Sequence, residues 1–158
     1  MLTKRILFFL FFICFAFSCE KEYYTTIPNY DVRLELNLAT LDFELKTHLA
    51  YKTITEQRAA LDRLGFGGIL IINSNVSPFT LYAFDLACPV EAKRDILIIP
   101  DNMNSPTSAV KTAITATCPK CGAVYNIISE SGRPQSGSKY FLRAYRVSGN
   151  GTNFTIHN

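Results

Sequence analysis

Between residues 32 and 38 apolar and polar side chains alternate without a break. Val32, Leu34, Leu36 and Leu38 fall on one face of an extended chain, with Arg33, Glu35 and Asn37 on the other. Leu41, Phe43 and Leu45 continue that period. Residues 47–57 follow neither the strand nor the helix period. In the overlapping stretch 55–64, Ala60, Leu61 and Leu64 at helical spacing and Gly65 as a stop predict a short helix. Ile69 to Ile72 are then continuously apolar. A strand of that kind needs cover on both faces and belongs at the centre of a sheet. Asn73-Ser74-Asn75 reads as a turn, and 79–85 as the returning strand of a hairpin. Residues 95–99 and 109–116 predict two further strands across a loop rich in Asp, Asn, Pro and Ser. Residues 124–128, 141–147 and 154–157 complete the set with glycine-rich turns between them.

Composition narrows this to one all-β domain. Of 158 residues, 48% are hydrophobic and 18% charged, with 12 Phe, 8 Tyr and no Trp. That content suits a β-rich core in a domain of about 100 to 140 residues. The formal charge of +3 includes Lys4 and Arg5; without them it is +1. No nucleic-acid partner is expected at so even a balance.

The first residues look like an export signal. Lys4 and Arg5 precede an apolar run of 12 residues, 6–17, which is short for a membrane span and right for a secretory core. Ala16 and Ser18 supply small side chains before Cys19, and the whole resembles a bacterial lipoprotein signal, although Phe17 is bulkier than that signal favours. On this reading residues 1–18 are removed and Cys19 becomes the lipid-modified first residue. Ordinary secretion, with Cys19 incidental, is the alternative. Several acyl chains, each methylene contributing about 0.8 kcal/mol, anchor such a protein stably. Glu20-Lys21-Glu22 resembles the surface-export signals of some Gram-negative lipoproteins. The expectation is a protein of the bacterial cell envelope, lipid-anchored at the outer membrane on its periplasmic or surface face. Residues 19–30 have no hydrophobic period and contain Pro28-Asn29, so they read as a tether; residues 31–158 form the domain.

With Cys14 removed and Cys19 acylated, Cys88, Cys118 and Cys121 remain, an odd number for an oxidising compartment. Cys88 and Cys118 each end a predicted strand and precede a proline. Cys118-Pro119-Lys120-Cys121-Gly122 forms a knuckle whose backbone amides can face thiolate sulfurs. A C-x-x-C pair also serves thiol redox enzymes, but there it opens a helix, whereas β-prone residues follow here.

The cysteine loops and the tail resemble a Rieske iron-sulfur domain. The family carries C-P-H, then C-x-x-H-G, then a tail of G-x-P-x-x-G-P before a final L-x-x-Y-x-V strand. This chain has Cys88-Pro89-Val90, then Cys118-Pro119-Lys120-Cys121-Gly122, then 132–138 (GRPQSGS) and 142–147 (LRAYRV). The match runs from about Tyr82 to Val147 and is nearest to Rieske-like lipoproteins of the Bacteroides and flavobacterial group, in which histidine ligands are often missing. It implies an antiparallel β-sandwich or partial barrel with an inserted subdomain bearing the cysteine loops. A Rieske centre places two thiolates on one iron and two imidazoles on the other. Val90 and Cys121 stand where the two histidines should be, so a standard centre is excluded. His48 and His157, the only histidines, lie in neither loop, and Ser138 replaces the usual proline of the covering loop.

Three sites are compatible with these residues. A variant 2Fe-2S cluster on Cys88, Cys118 and Cys121, with a fourth ligand such as Glu91, a hydroxyl or water, would have a potential lowered toward about −400 mV. Zinc on the same thiolates with one oxygen donor needs only four tetrahedral ligands. A metal-free disulfide from Cys88 to Cys118 or Cys121 would leave one thiol over. Function divides accordingly between an electron-transfer module and a metal-free or zinc-stapled binding or structural module, each with an unidentified protein partner. No hydrolytic triad or phosphate-binding glycine loop is present, so the chain is not expected to be an enzyme. Lys93, Arg94, Arg133, Lys139, Arg143 and Arg146 are candidates for a basic strip, or for ordinary solvated edge charges. Asp42 and Glu44 read as exposed carboxylates sharing a strand face.

Overall fold

A computed structural model describes residues 23–158 apart from Pro106. The signal and the lipidation candidate Cys19 lie outside the described residues. Among the described residues, no helix is long and apolar enough to cross a membrane. The chain forms β1 (Val32–Asn37), a 3₁₀ turn (Phe43–Lys46), β2 (Tyr51–Ile54), β3 (Arg63–Leu64), β4 (Ile69–Val76), β5 (Phe79–Asp85), β6 (Ile99–Pro100), β7 (Thr115–Thr117), β8 (Val124–Asn126), β9 (Pro134–Ser136), β10 (Ala144–Asn150) and β11 (Asn153–His157). The all-β expectation holds. An antiparallel sheet in the order β2-β4-β5-β10-β11-β1-β3 curls into a nearly closed barrel, and a second sheet, β6-β7-β8-β9, is inserted between β5 and β10.

The unbroken apolar run of β4 is explained by its position between two cores. Ile69 and Ile71 face the barrel interior with Leu34, Leu36, Leu81 and Ile156. Leu70 and Ile72 face the second core with Phe84, Leu86, Tyr125 and Leu142. All four β4 side chains are fully buried. Cys88 and Cys118 belong to the second core, so the insertion packs on the outer face of β4 and β5.

The predicted helix over 55–64 is absent. Asp62 Oδ2 accepts the backbone amides of Arg58 (2.8 Å) and Ala59 (2.9 Å), which captures donors that a first helical turn would leave free. Leu61 stays 65% exposed, so the apolar face such a helix would need has nothing to pack against. The strand period after Leu38 also stops early: Asn37 Oδ1 accepts the amides of Ala39 and Thr40, folding the chain into the 3₁₀ turn, where Leu45 is buried and Leu41 and Phe43 are exposed. The turn read at residues 73–75 is a register shift within the hairpin, and the chain reverses two residues later, between Val76 and Phe79.

Asp42 is not on a strand face and not exposed. It is fully buried. Asn37 N donates to its Oδ2 at 2.9 Å, and Arg58 Nη1 and Lys52 Nζ reach its Oδ1 at 2.7 and 2.9 Å. Lys52 also pairs with Glu44 at 2.8 Å. Burial works to lower the Lys52 pKa, but the two carboxylates outweigh it and hold the ammonium above its ordinary value. Arg58 Nη2 also donates to Glu35 O, so β1, β2 and the β2–β3 connection are tied together around one buried carboxylate.

Residues 23–30, read as tether, lie along the folded unit. Ile27 is 1% exposed, Arg143 Nε donates to Ile27 O at 2.8 Å, and Phe141 N donates to Tyr24 O at 2.9 Å.

Candidate metal centre

Two loops of the same construction carry the cysteines. In Cys88-Pro89-Val90-Glu91-Ala92, the amide of Ala92 donates to Cys88 O at 2.8 Å. In Cys118-Pro119-Lys120-Cys121-Gly122, the amide of Gly122 donates to Cys118 O at 2.9 Å. Each loop ends in a left-handed residue, with φ +51° at Ala92 and +72° at Gly122. A Cβ at Gly122 would meet no atom within 4 Å, so the glycine there answers to backbone conformation and not to space. Ala92 adopts the same geometry at a cost of about 1–2 kcal/mol.

This geometry turns amides onto sulfur. The backbone N–H groups of Val90 and Glu91 point at Cys88, and those of Lys120 and Cys121 at Cys118. Cys88 Sγ lies 3.6 Å from Cys121 Sγ, and the three sulfurs all lie within 4.8 Å of one another. All three are free thiols; Cys88 and Cys118 are fully buried and Cys121 is half-buried. Three cysteines separated by as many as 33 residues are thus close enough to bind one metal ion.

The electrostatics fit a cation. Burial pushes the Cys88 thiol up to about 12, against the pull of the Glu91 and Val90 amides and with a further rise from Cys118 and Cys121. Burial also acts to raise Cys118, but the amides of Cys121 and Lys120 and the hydrogen bonds from Cys88 and Cys121 lower it overall. Were all three ionised at this spacing, their mutual repulsion would call for a positive charge among them. The Tyr125 hydroxyl is buried beside Cys88 and Ser138 with no hydrogen-bond partner. Burial, followed by the charge of Cys88, raises its pKa, so it remains a donor without an acceptor. A metal-bound thiolate at Cys88 would supply that acceptor.

Val90 is 39% exposed and carries no donor. His48 Nε2 contacts Ser74 O at 3.2 Å and His157 ends β11, so neither joins the sulfurs. The segment that carries Ser138 packs beside the second loop: β9 pairs with β8, and a Cβ at Gly137 would come within 2.9 Å of Ala123 Cα. The candidate basic strip divides. Arg94 lies over the rings of Tyr30 and Phe66 at 4.4 and 4.9 Å, Lys139 over Tyr140, and Arg143 holds Ile27 O.

Two supports escaped the pattern analysis. Thr26 Oγ1 donates to Pro89 O, so the N-terminal segment braces the first loop. Asp85, fully buried at the end of β5, accepts the amides of Phe66 (2.8 Å), Gly67 (3.0 Å) and Ala87 (2.8 Å) and the hydroxyl of Tyr145 (2.6 Å). A lone carboxylate within the apolar stretch 81–87 was the available signal for it. Comparison with family models, with curated proteins and with solved structures gave no match.

Proposed function

We propose that this chain is a lipid-anchored protein of the bacterial envelope, with a Rieske-like fold that holds a single metal ion on Cys88, Cys118 and Cys121 and serves as a metal-stapled binding or structural module. The observation that carries this reading is the mutual proximity of the three sulfurs, all within 4.8 Å. Zinc–thiolate bonds of about 2.3 Å at tetrahedral angles place sulfurs about 3.8 Å apart, close to the 3.6 Å between Cys88 and Cys121. A 2Fe-2S centre instead needs its ligands in two pairs facing each other across bridging sulfides. The Rieske resemblance supports the scaffold and the placement of the loops, and Val90 and Cys121 argue for altered chemistry on it. Zinc would supply a fixed +2 charge and join the two loops, leaving the protein without a redox role.

The test is elemental analysis and a visible spectrum of the full chain extracted from membranes under anaerobic conditions. One zinc per chain and no visible bands is the expected result. Two irons with acid-labile sulfide and charge-transfer bands would replace this reading with electron transfer. No metal, with a disulfide among the three cysteines, would reduce the site to a staple.

The anchor is tested separately. Cys19→Ser is expected to abolish incorporation of labelled palmitate and release the chain from the membrane fraction. Continued labelling of that variant would overturn the lipoprotein reading.

A further inference from the structure

The two cysteine loops are related by more than their cysteines. Each has the same backbone bond from its fifth amide to its first carbonyl, the same left-handed fifth residue, and the same pair of amides on its first sulfur. The fourth residue is Cys121 in one loop and Glu91 in the other. Cys121 crosses from its own loop to Cys88 of the opposite loop at 3.6 Å. Glu91 crosses in the other direction, its Oε2 2.9 Å from Lys120 Nζ. Its side chain is only 18% exposed, although it lies on a surface loop. The equivalent position therefore carries a hard oxygen donor where three soft sulfur donors leave a tetrahedral ion one ligand short.

We infer that Glu91 is the fourth ligand of the centre, a deepening that rests on the metal-binding reading of Cys88, Cys118 and Cys121. The Glu91 carboxylate lies outside the 4.8 Å group of sulfurs and on Lys120, so ligation exchanges its ammonium partner for the ion. Three thiolates and a carboxylate around a divalent ion leave a net charge of −2, part of which the amides facing Cys88 and Cys118 offset.

The test uses the full chain with Zn²⁺ in competition against a chromophoric chelator, and Co²⁺ as an optical probe. Glu91→Gln is expected to weaken Zn²⁺ binding by about tenfold or more. Glu91→Cys restores tight binding and raises sulfur-to-cobalt charge-transfer absorbance per bound ion by about a third, because the number of Co–S bonds rises from three to four. Lys120→Met removes the ion pair, keeps the carboxylate, and retains affinity. Glu91→Gln binding within twofold of the parent, or unchanged charge-transfer intensity in Glu91→Cys, overturns the assignment. An equal loss in Lys120→Met also overturns it, by showing that the ion pair braces the loops. If the unaltered chain binds neither ion, the metal-centre reading itself fails; if it binds both and the Glu91 variants do not differ from it, only the fourth ligand is wrong.

Discussion

If the three cysteines hold a metal as proposed, removing it with a chelator is expected to unlock the cysteine half and leave the barrel standing. Hydrogen exchange should show protection falling at the amides of Ala92, Cys118 and Gly122 and across β7 and β8, while β1, β10 and β11 keep theirs. The reason is the separation of the two cores. Leu34, Leu36, Ile69, Ile71 and Ile156 pack within the barrel independently of the cysteines, whereas Cys88 and Cys118 are themselves part of the second core. A ligand at a thousand times its dissociation constant stabilises the state it binds by about 4 kcal/mol, and that contribution disappears with the ion. Collapse should stop short of unfolding, because Phe84, Leu86, Tyr125 and Ile127 remain buried around the site. Melting measured before and after chelation should move in parallel with the exchange. Identical exchange and melting, in protein shown to have lost a bound ion, would mean that the loops are held by packing alone.

The parts of this arrangement legible in the sequence are those written in periodicity and spacing. Strict alternation marked β1, and four consecutive aliphatics marked β4 as a strand covered on both faces, which its place between two cores explains. The C-P pairs at Cys88 and Cys118 marked the two loops. Residues 55–64 show how a local polar contact overrides periodicity. Their apolar spacing was genuine, but Asp62 captured the amides of Arg58 and Ala59, and the chain turned instead of winding. Short strands were missed for a related reason. β2 and β9 are defined by their pairing with β4 and β8 and not by any period of their own. The approach of Cys121 to Cys88 likewise depends on long-range packing, since 33 residues separate them. Asp42 was read as exposed because its partners, Lys52 and Arg58, come from segments whose path no local pattern reveals.

Asp85→Ala is expected to destabilise the protein by about 3–5 kcal/mol and to weaken metal binding with it. The carboxylate receives four donors, three of them backbone amides fixed in place by the loop at Phe66 and Gly67 and by the strand exit at Ala87. Each buried donor left unsatisfied costs about 1–3 kcal/mol, moderated where water enters the space. Loss of the bond from Ala87 N also frees the chain one residue before Cys88, the point from which the first loop departs. Asp85→Asn tests the same argument at constant volume. Its side chain keeps one acceptor oxygen but turns an NH₂ toward donors, so its loss should approach that of alanine despite the conserved shape. Tyr145→Phe removes a single donor and leaves the three amide bonds intact, and about 1 kcal/mol is expected. Urea unfolding reads these losses as a graded series of midpoints. Zinc competition on the folded variants should then rank Asp85→Ala below Tyr145→Phe, because only the former loosens the approach to Cys88. A stability loss under 1 kcal/mol in Asp85→Ala would show that the loop and the first cysteine hold their positions without this carboxylate.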